Sequence, residues 1–141
     1  MWIKITFLNN GATIFVCKFY CEKQKLTVKI TEIIELTQAG IVAGDANSRI
    51  NIERAFSSDL MSDVLTLDDH HIILITGLAN VQLIRTVEMA DVPVVLLCRN
   101  KKATPEMIDL ANENGTILLE TPFSIFRVSG ILYSNGLMPV Y

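Results

Sequence analysis

Three nearly continuous apolar runs constrain this chain more than anything else in it. They are Ile72-Ile73-Leu74-Ile75-Thr76, Val94-Val95-Leu96-Leu97 and Thr116-Ile117-Leu118-Leu119. A strand with one face in water alternates apolar and polar residues, whereas a run that is apolar at every position has both faces covered. Helical patterns lie between the runs. Val81 to Met89 places Val81, Leu83, Ile84 and Val87 inward, with Asn80 able to cap it and Pro93 breaking it. Thr104 followed by Pro105 is an N-cap with proline at the first helical position, and Gly115 stops that helix after Asn114. Thr121-Pro122 opens a last helix, with Ile125, Phe126, Val128, Ile131 and Leu132 near helical spacing and Asn135-Gly136 at its end. From residue 70 the order is therefore β-α-β-α-β-α. Such alternation with short loops implies a mainly parallel sheet of about five strands, with helices on its faces and right-handed crossovers.

The earlier part is less regular. Val28, Ile30, Ile33, Ile34 and Leu36 suggest an apolar helical face, which Thr27 or Thr31 could cap and Gly40 could stop. Ile41-Val42-Ala43 reads as a short strand ended by Gly44, and Ile50 and Ile52 alternate with polar residues as a second. In the segment Phe56 to Leu65, Leu60, Met61, Val64 and Leu65 follow helical spacing, with Ser58 or Asp59 placed to cap them.

Residues 1–25 stand apart. Two apolar bursts flank the turn signal Asn9-Asn10-Gly11, and four Lys against one Glu give the segment +3. Removing that +3 from the formal −3 of the whole chain leaves −6 for the rest. Lys18 interrupts the best apolar run and no small-residue cleavage site follows, so a signal peptide fits poorly. Two readings stand: an over-extended gene start with the true start at Leu26, or a genuine N-terminal hairpin. The expected organisation is an extension over 1–25, an α/β domain over 26–137 and a tail over 138–141.

Composition excludes several classes of function. Net −3 lacks the electrostatic footprint of a nucleic-acid binder. Arg99, Lys101 and Lys102 form the tightest basic cluster after the N-terminal segment, and read as a solvated loop before a helix. No stretch reaches the ~18 apolar residues that span a membrane. Three cysteines (Cys17, Cys21 and Cys98) argue against a disulfide framework and fit a reducing, cytoplasmic setting. Cys98 ends an apolar run and reads as a small buried hydrophobe.

Three constellations invite chemistry. Ser58-Asp59 recurs four residues later as Ser62-Asp63, which on a helix puts both pairs on one face. They form either a polar patch for a ligand or ordinary capping by first-turn acids, and their carboxylates argue against a phosphate there. Thr76-Gly77-Leu78-Ala79-Asn80 joins a buried strand to a helix, the usual ligand position in an open α/β sheet. It has neither the P-loop nor the dinucleotide glycine pattern. Asp68-Asp69-His70-His71 suggests a metal, but extended neighbours point to opposite sides and no other His completes a site, so a solvated turn is expected. The candidate ligand-binding residues are Ser58, Asp59, Ser62, Asp63, Thr76, Gly77 and Asn80. No catalytic residue, metal or cofactor is expected. An enzyme would have to pair Ser58 or Ser62 with Asp59 or Asp63 as nucleophile and base.

Three stretches in this order and spacing carry a resemblance: Ser58 to Leu65, Ile75 to Asn80 and Ile84 to Met89, closed by Gly130 to Leu137. Together they resemble small DRTGG-domain proteins, which are similar to the N-terminal domain of HPr kinase/phosphorylase and to non-catalytic modules of some phosphotransacetylases and CBS-containing pyrophosphatases. The resemblance implies a three-layer α/β/α sandwich, a regulatory or ligand-sensing role with a small molecule or nucleotide as ligand, and a homodimer. It also implies a bacterial setting beside iron-hydrogenase and redox genes, where the chain could alternatively be a homo-oligomeric interaction subunit with no ligand of its own. Where the family has Thr-Gly-Gly this chain reads Glu53-Arg54-Ala55, so a ligand that needs those glycines does not carry over.

Overall fold

The three apolar runs lie side by side at the centre of one sheet. In the computed structural model, which describes residues 27–141, β5 (Ile72–Thr76), β6 (Val94–Leu97) and β7 (Ile117–Glu120) are parallel neighbours. Every residue of the three strands is buried. Successive side chains point to opposite faces, so each strand feeds two cores. Ile73, Ile75, Val94, Leu96 and Leu119 face one way. Ile72, Leu74, Val95, Leu97 and Leu118 face the other.

Two outer strands extend the sheet beyond β5, namely β4 (Arg54–Ser57) beside it and β8 (Met138–Pro139) outermost, both parallel. On the opposite side β2 (Gly40–Ala43) pairs antiparallel with β7, through an irregularity between Ile41 and Ala43. The order β2-β7-β6-β5-β4-β8 gives six strands, one more than expected. A separate two-stranded ladder joins β1 (Val28–Lys29) to β3 (Asn51–Ile52).

The first core packs under α1 (Ile30–Thr37) and α5 (Ile125–Ser134), through Ile30, Ile33, Val128 and Leu132. The second packs under α2 (Met61–Val64), α3 (Val81–Met89) and α4 (Pro105–Asn114), through Val64, Leu83, Ile84, Val87, Met107 and Ala111. Fully burying one such side chain contributes roughly 1.5–3 kcal/mol. The result is a three-layer α/β/α sandwich. From β4 to β7 the chain steps across the sheet with its helices on one face. It then returns to β8 under α5 on the other face, which keeps the crossovers one-handed.

Local chemistry sets most boundaries. Asn80 Oδ1 accepts from Leu83 N at 2.9 Å, Thr104 Oγ1 from Met107 N at 3.3 Å, and Ser124 Oγ from Arg127 N at 3.3 Å. Gly115 ends α4 in the left-handed region at φ 74°.

Several expectations shift. Val28 is strand, α1 begins at Ile30, and Lys29 precedes it without a side-chain cap bond. Gln38 at φ 51°, rather than Gly40, ends that helix. The helix expected after Ser58 shrinks to a single turn preceded by Leu60, because Phe56 and Ser57 belong to β4. The last helix starts at Ile125 with Ser124 as cap, not at Thr121-Pro122. Residues 138 and 139, expected as tail, are β8, and Tyr141 meets the Phe56 ring edge-on at 6.0 Å. Residues 1–25 lie outside the described residues. Among the described residues no helix is long and apolar enough to cross a membrane.

Candidate functional site

Parallel strands that all run one way deliver their following loops to one rim, so β4, β5, β6 and β7 end together. At that rim Asp59, in the loop after β4, reaches across to β5. Its Oδ1 accepts from the Thr76 hydroxyl at 2.8 Å and from Gly77 N at 2.6 Å. Its Oδ2 accepts from Arg99 Nη2 at 2.9 Å, from the loop after β6. Thr76 is fully buried and its Oγ1 also accepts from Leu78 N at 3.1 Å, so the hydroxyl is used in both directions.

Desolvation opposes ionisation of Asp59, but the Gly77 N–H, the Thr76 hydroxyl and the Arg99 charge together outweigh it and hold the carboxyl below its ordinary 3.8. Side chains of Arg99 and Asp59 remain 50% and 43% exposed. An ion pair that wet contributes about 0–1 kcal/mol.

Arg99 lies against Gly77, where a Cβ would run into the guanidinium. Only glycine leaves room for that approach. The loop carrying Arg99 is pinned on several sides. Arg99 and Asn100 are both left-handed, at φ 61° and 55°. For a residue with a Cβ that conformation costs roughly 1–2 kcal/mol, less for Asn. Their N–H groups donate to Phe123 O at 2.8 Å and Thr121 O at 3.1 Å. The buried Glu120 accepts from Lys102 Nζ at 2.7 Å and from Ala103 N at 2.7 Å. On α5 the Arg127 guanidinium sits 3.6 Å from the centre of the Phe123 ring.

The two places singled out in the sequence, the Ser58 segment and the Thr76 turn, thus meet through Asp59, Thr76 and Gly77. The other candidates stay outside this network. Ser58 Oγ accepts from Leu60 N at 3.0 Å. Ser62 and Asp63 are exposed on the single turn of α2, and Asn80 is occupied in capping α3. Arg99 is the residue that sequence reading missed. The basic trio was its only signal; the trio does lie exposed in a loop before α4, but Arg99 and Lys102 also each pair with a carboxylate distant in sequence.

The remaining motifs resolve as structure. Asp69 accepts from His71 N at 2.9 Å and pairs with Arg54 at 3.3 Å, while the exposed His70 meets Asp91 at 2.9 Å. No cluster of three metal-ligating side chains occurs among the described residues. Cys98 is buried, and desolvation pushes its thiol up to about 12.

A concavity of about 350 Å³ lies away from this rim, at the outer edge of the sheet, against β4, α5 and β8. Phe56, Tyr133, Met138 and Tyr141 help line it, and Tyr133, Met138 and Tyr141 are exposed.

No protein-family model matches this chain, and no curated protein matches it. Among solved structures it is similar to the crystal structure of the CBS and DRTGG domains of the regulatory region of Clostridium perfringens pyrophosphatase, complexed with activator, diadenosine tetraphosphate. The TM-score is 0.63 at 16% identity, over 77% of this chain and 46% of that one. This chain therefore spans less than half the length of the protein it matches. The likeness supports a DRTGG-like α/β fold, and it lends no support to the expected similarity to HPr kinase/phosphorylase.

Proposed function

We propose that this chain is a non-catalytic regulatory module that senses a small ligand at the rim formed by Asp59, Thr76, Gly77 and Arg99. One observation carries the reading: a half-exposed arginine is fixed against a glycine, at the carboxyl ends of parallel strands, by a loop that accepts backbone strain to hold it. Likeness to the regulatory region of a pyrophosphatase that was crystallised with a nucleotide activator supports a nucleotide as the first class to try. The chemistry of the rim favours binding over catalysis. Asp59 is engaged by three donors and held ionised, so it is no base poised near neutral pH. Ser58 bonds to Leu60 rather than to an aspartate. The Cys98 thiol is buried and protonated.

Thermal unfolding in the presence of nucleotides and central metabolites tests the reading. A ligand at 100 times its Kd adds about 2.7 kcal/mol, which raises Tm by several degrees. Absence of stabilisation across the whole set would count against ligand sensing.

A homodimer in the cytoplasm belongs to the same proposal. The exposed Tyr133, Met138 and Tyr141 beside the short edge strand β8 support self-pairing there. Sedimentation that shows only monomer at high concentration would overturn it.

A further inference from the structure

We propose that the Asp59–Arg99 pair is a latch which an anionic ligand opens, so that the module senses a phosphorylated compound by taking Arg99 away from Asp59. This deepens the ligand-sensing reading and rests on it.

Four observations lead here. Arg99 reaches Asp59 through Nη2, and half of its side chain remains in solvent. An arginine presents five N–H donors in a fork that matches phosphate geometry, which leaves donors for an incoming anion. Cations and carboxylates are interleaved along the rim. Arg99, Lys101 and Lys102 follow β6, and Arg127 lies in the first turn of α5. Of the carboxylates beside them, Asp59 is paired with Arg99 and Glu120 with Lys102, while Asp63 and Glu106 sit exposed in the first turns of α2 and α4. The scaffold behind Arg99 is rigid, since the N–H groups of residues 99, 100 and 103 are all bonded to the strand end and loop at 120–123. Asp59 has two further donors on β5 and the turn after it, the Thr76 hydroxyl and Gly77 N, and Ser58 N beside it bonds Ile75 O at 3.2 Å. An anion that captures Arg99 therefore removes one of three donors from Asp59 and leaves the carboxylate on Thr76 and Gly77. The change in charge and hydrogen bonding at Asp59 is the signal the module passes on.

The experiment is calorimetric titration of the full chain with inorganic pyrophosphate, ATP and adenosine, combined with the amide resonance of Gly77, whose N–H faces Asp59. In wild type, pyrophosphate and ATP bind, more weakly as salt rises, and adenosine does not. The Gly77 amide shifts on addition of pyrophosphate. Asp59→Asn removes the competing charge and tightens pyrophosphate binding about fivefold, the factor expected for a pair this exposed. Arg99→Gln weakens it at least tenfold, and Arg99→Lys falls between. ATP binding tighter than pyrophosphate shows that the base is also read, and equal affinity shows a bare phosphoryl site. Both outcomes support the latch. Adenosine binding as tightly as ATP overturns the latch and leaves ligand sensing intact, as does a neutral metabolite that stabilises the fold. If none of the three probes binds, the latch fails, and ligand sensing fails with it only if the wider thermal screen is also silent. Should Arg99→Gln not fold, Asp59→Asn decides: weaker rather than tighter pyrophosphate binding overturns the latch.

Discussion

The rim at Asp59 and the outer edge at β8 both depend on β4, yet they are built on opposite principles. At the rim, one strand-end residue and three loop residues are locked by short hydrogen bonds. At the edge, aromatic and aliphatic side chains surround a groove with few polar bonds to fix them. The Tyr141 hydroxyl approaches Thr66 Oγ1 at only 3.5 Å, and Ser57 Oγ meets Ser129 Oγ at 2.9 Å. Polar geometry of the first kind discriminates between ligands because an unmatched donor costs free energy. Apolar area of the second kind gives association without chemical discrimination.

Substitutions should separate the two regions by stability. Thr76→Val keeps the volume but strips Asp59 and Leu78 of their hydroxyl partner in a fully buried position. Urea denaturation should show a loss of about 1–3 kcal/mol. Asp59→Asn should lose less, about 1 kcal/mol at neutral pH, since the carboxylate is partly in water. Its more telling effect is on pH dependence. The folded pKa of Asp59 lies below its ordinary 3.8, so its stabilisation is present above that value and is lost as pH falls through the lower folded one. Acid titration of the variant should lack that component. A variant that retains it would mean that other carboxylates dominate acid unfolding.

Gly77→Ala tests the close approach of Arg99. The added methyl meets the end of a flexible side chain, so the fold should lose less than 1 kcal/mol while the guanidinium moves off the glycine. Pyrophosphate affinity should then fall with little change in Tm. At the edge the order of effects inverts. Tyr133→Ser or Met138→Ser should alter stability by less than about 0.5 kcal/mol, because both side chains are exposed. The same changes should abolish self-association in sedimentation, and a rim variant should leave it untouched.

What the sequence revealed follows the range of the forces concerned. Residues 72–120 were legible because their signals are local: apolar runs, the Asn80 and Thr104 caps, Pro105 and Gly115 all act within a few residues. β4 was missed because Arg54 and Ser57 give it a mixed pattern, and it becomes a strand only through neighbours on both sides. β8 carries a proline and two residues of ladder, too little to stand out. The site was half legible. Thr76 and Gly77 sit where strand ends predict a site, but Asp59 looked like a helix cap, and its true partners are 17, 18 and 40 residues away. No periodicity encodes such a pairing.

The pairing of Arg54 with Met138 also fixes an order of events. The two residues are separated by 84 positions, with every other strand of the main sheet beyond β4 made in between or before. During synthesis β4 can dock on β5 early, but its far side stays an open template until α5 and the residues after it have emerged. Closing so distant a contact is slow relative to the local βα units. The nascent chain therefore passes through a period in which a bare strand edge faces other chains.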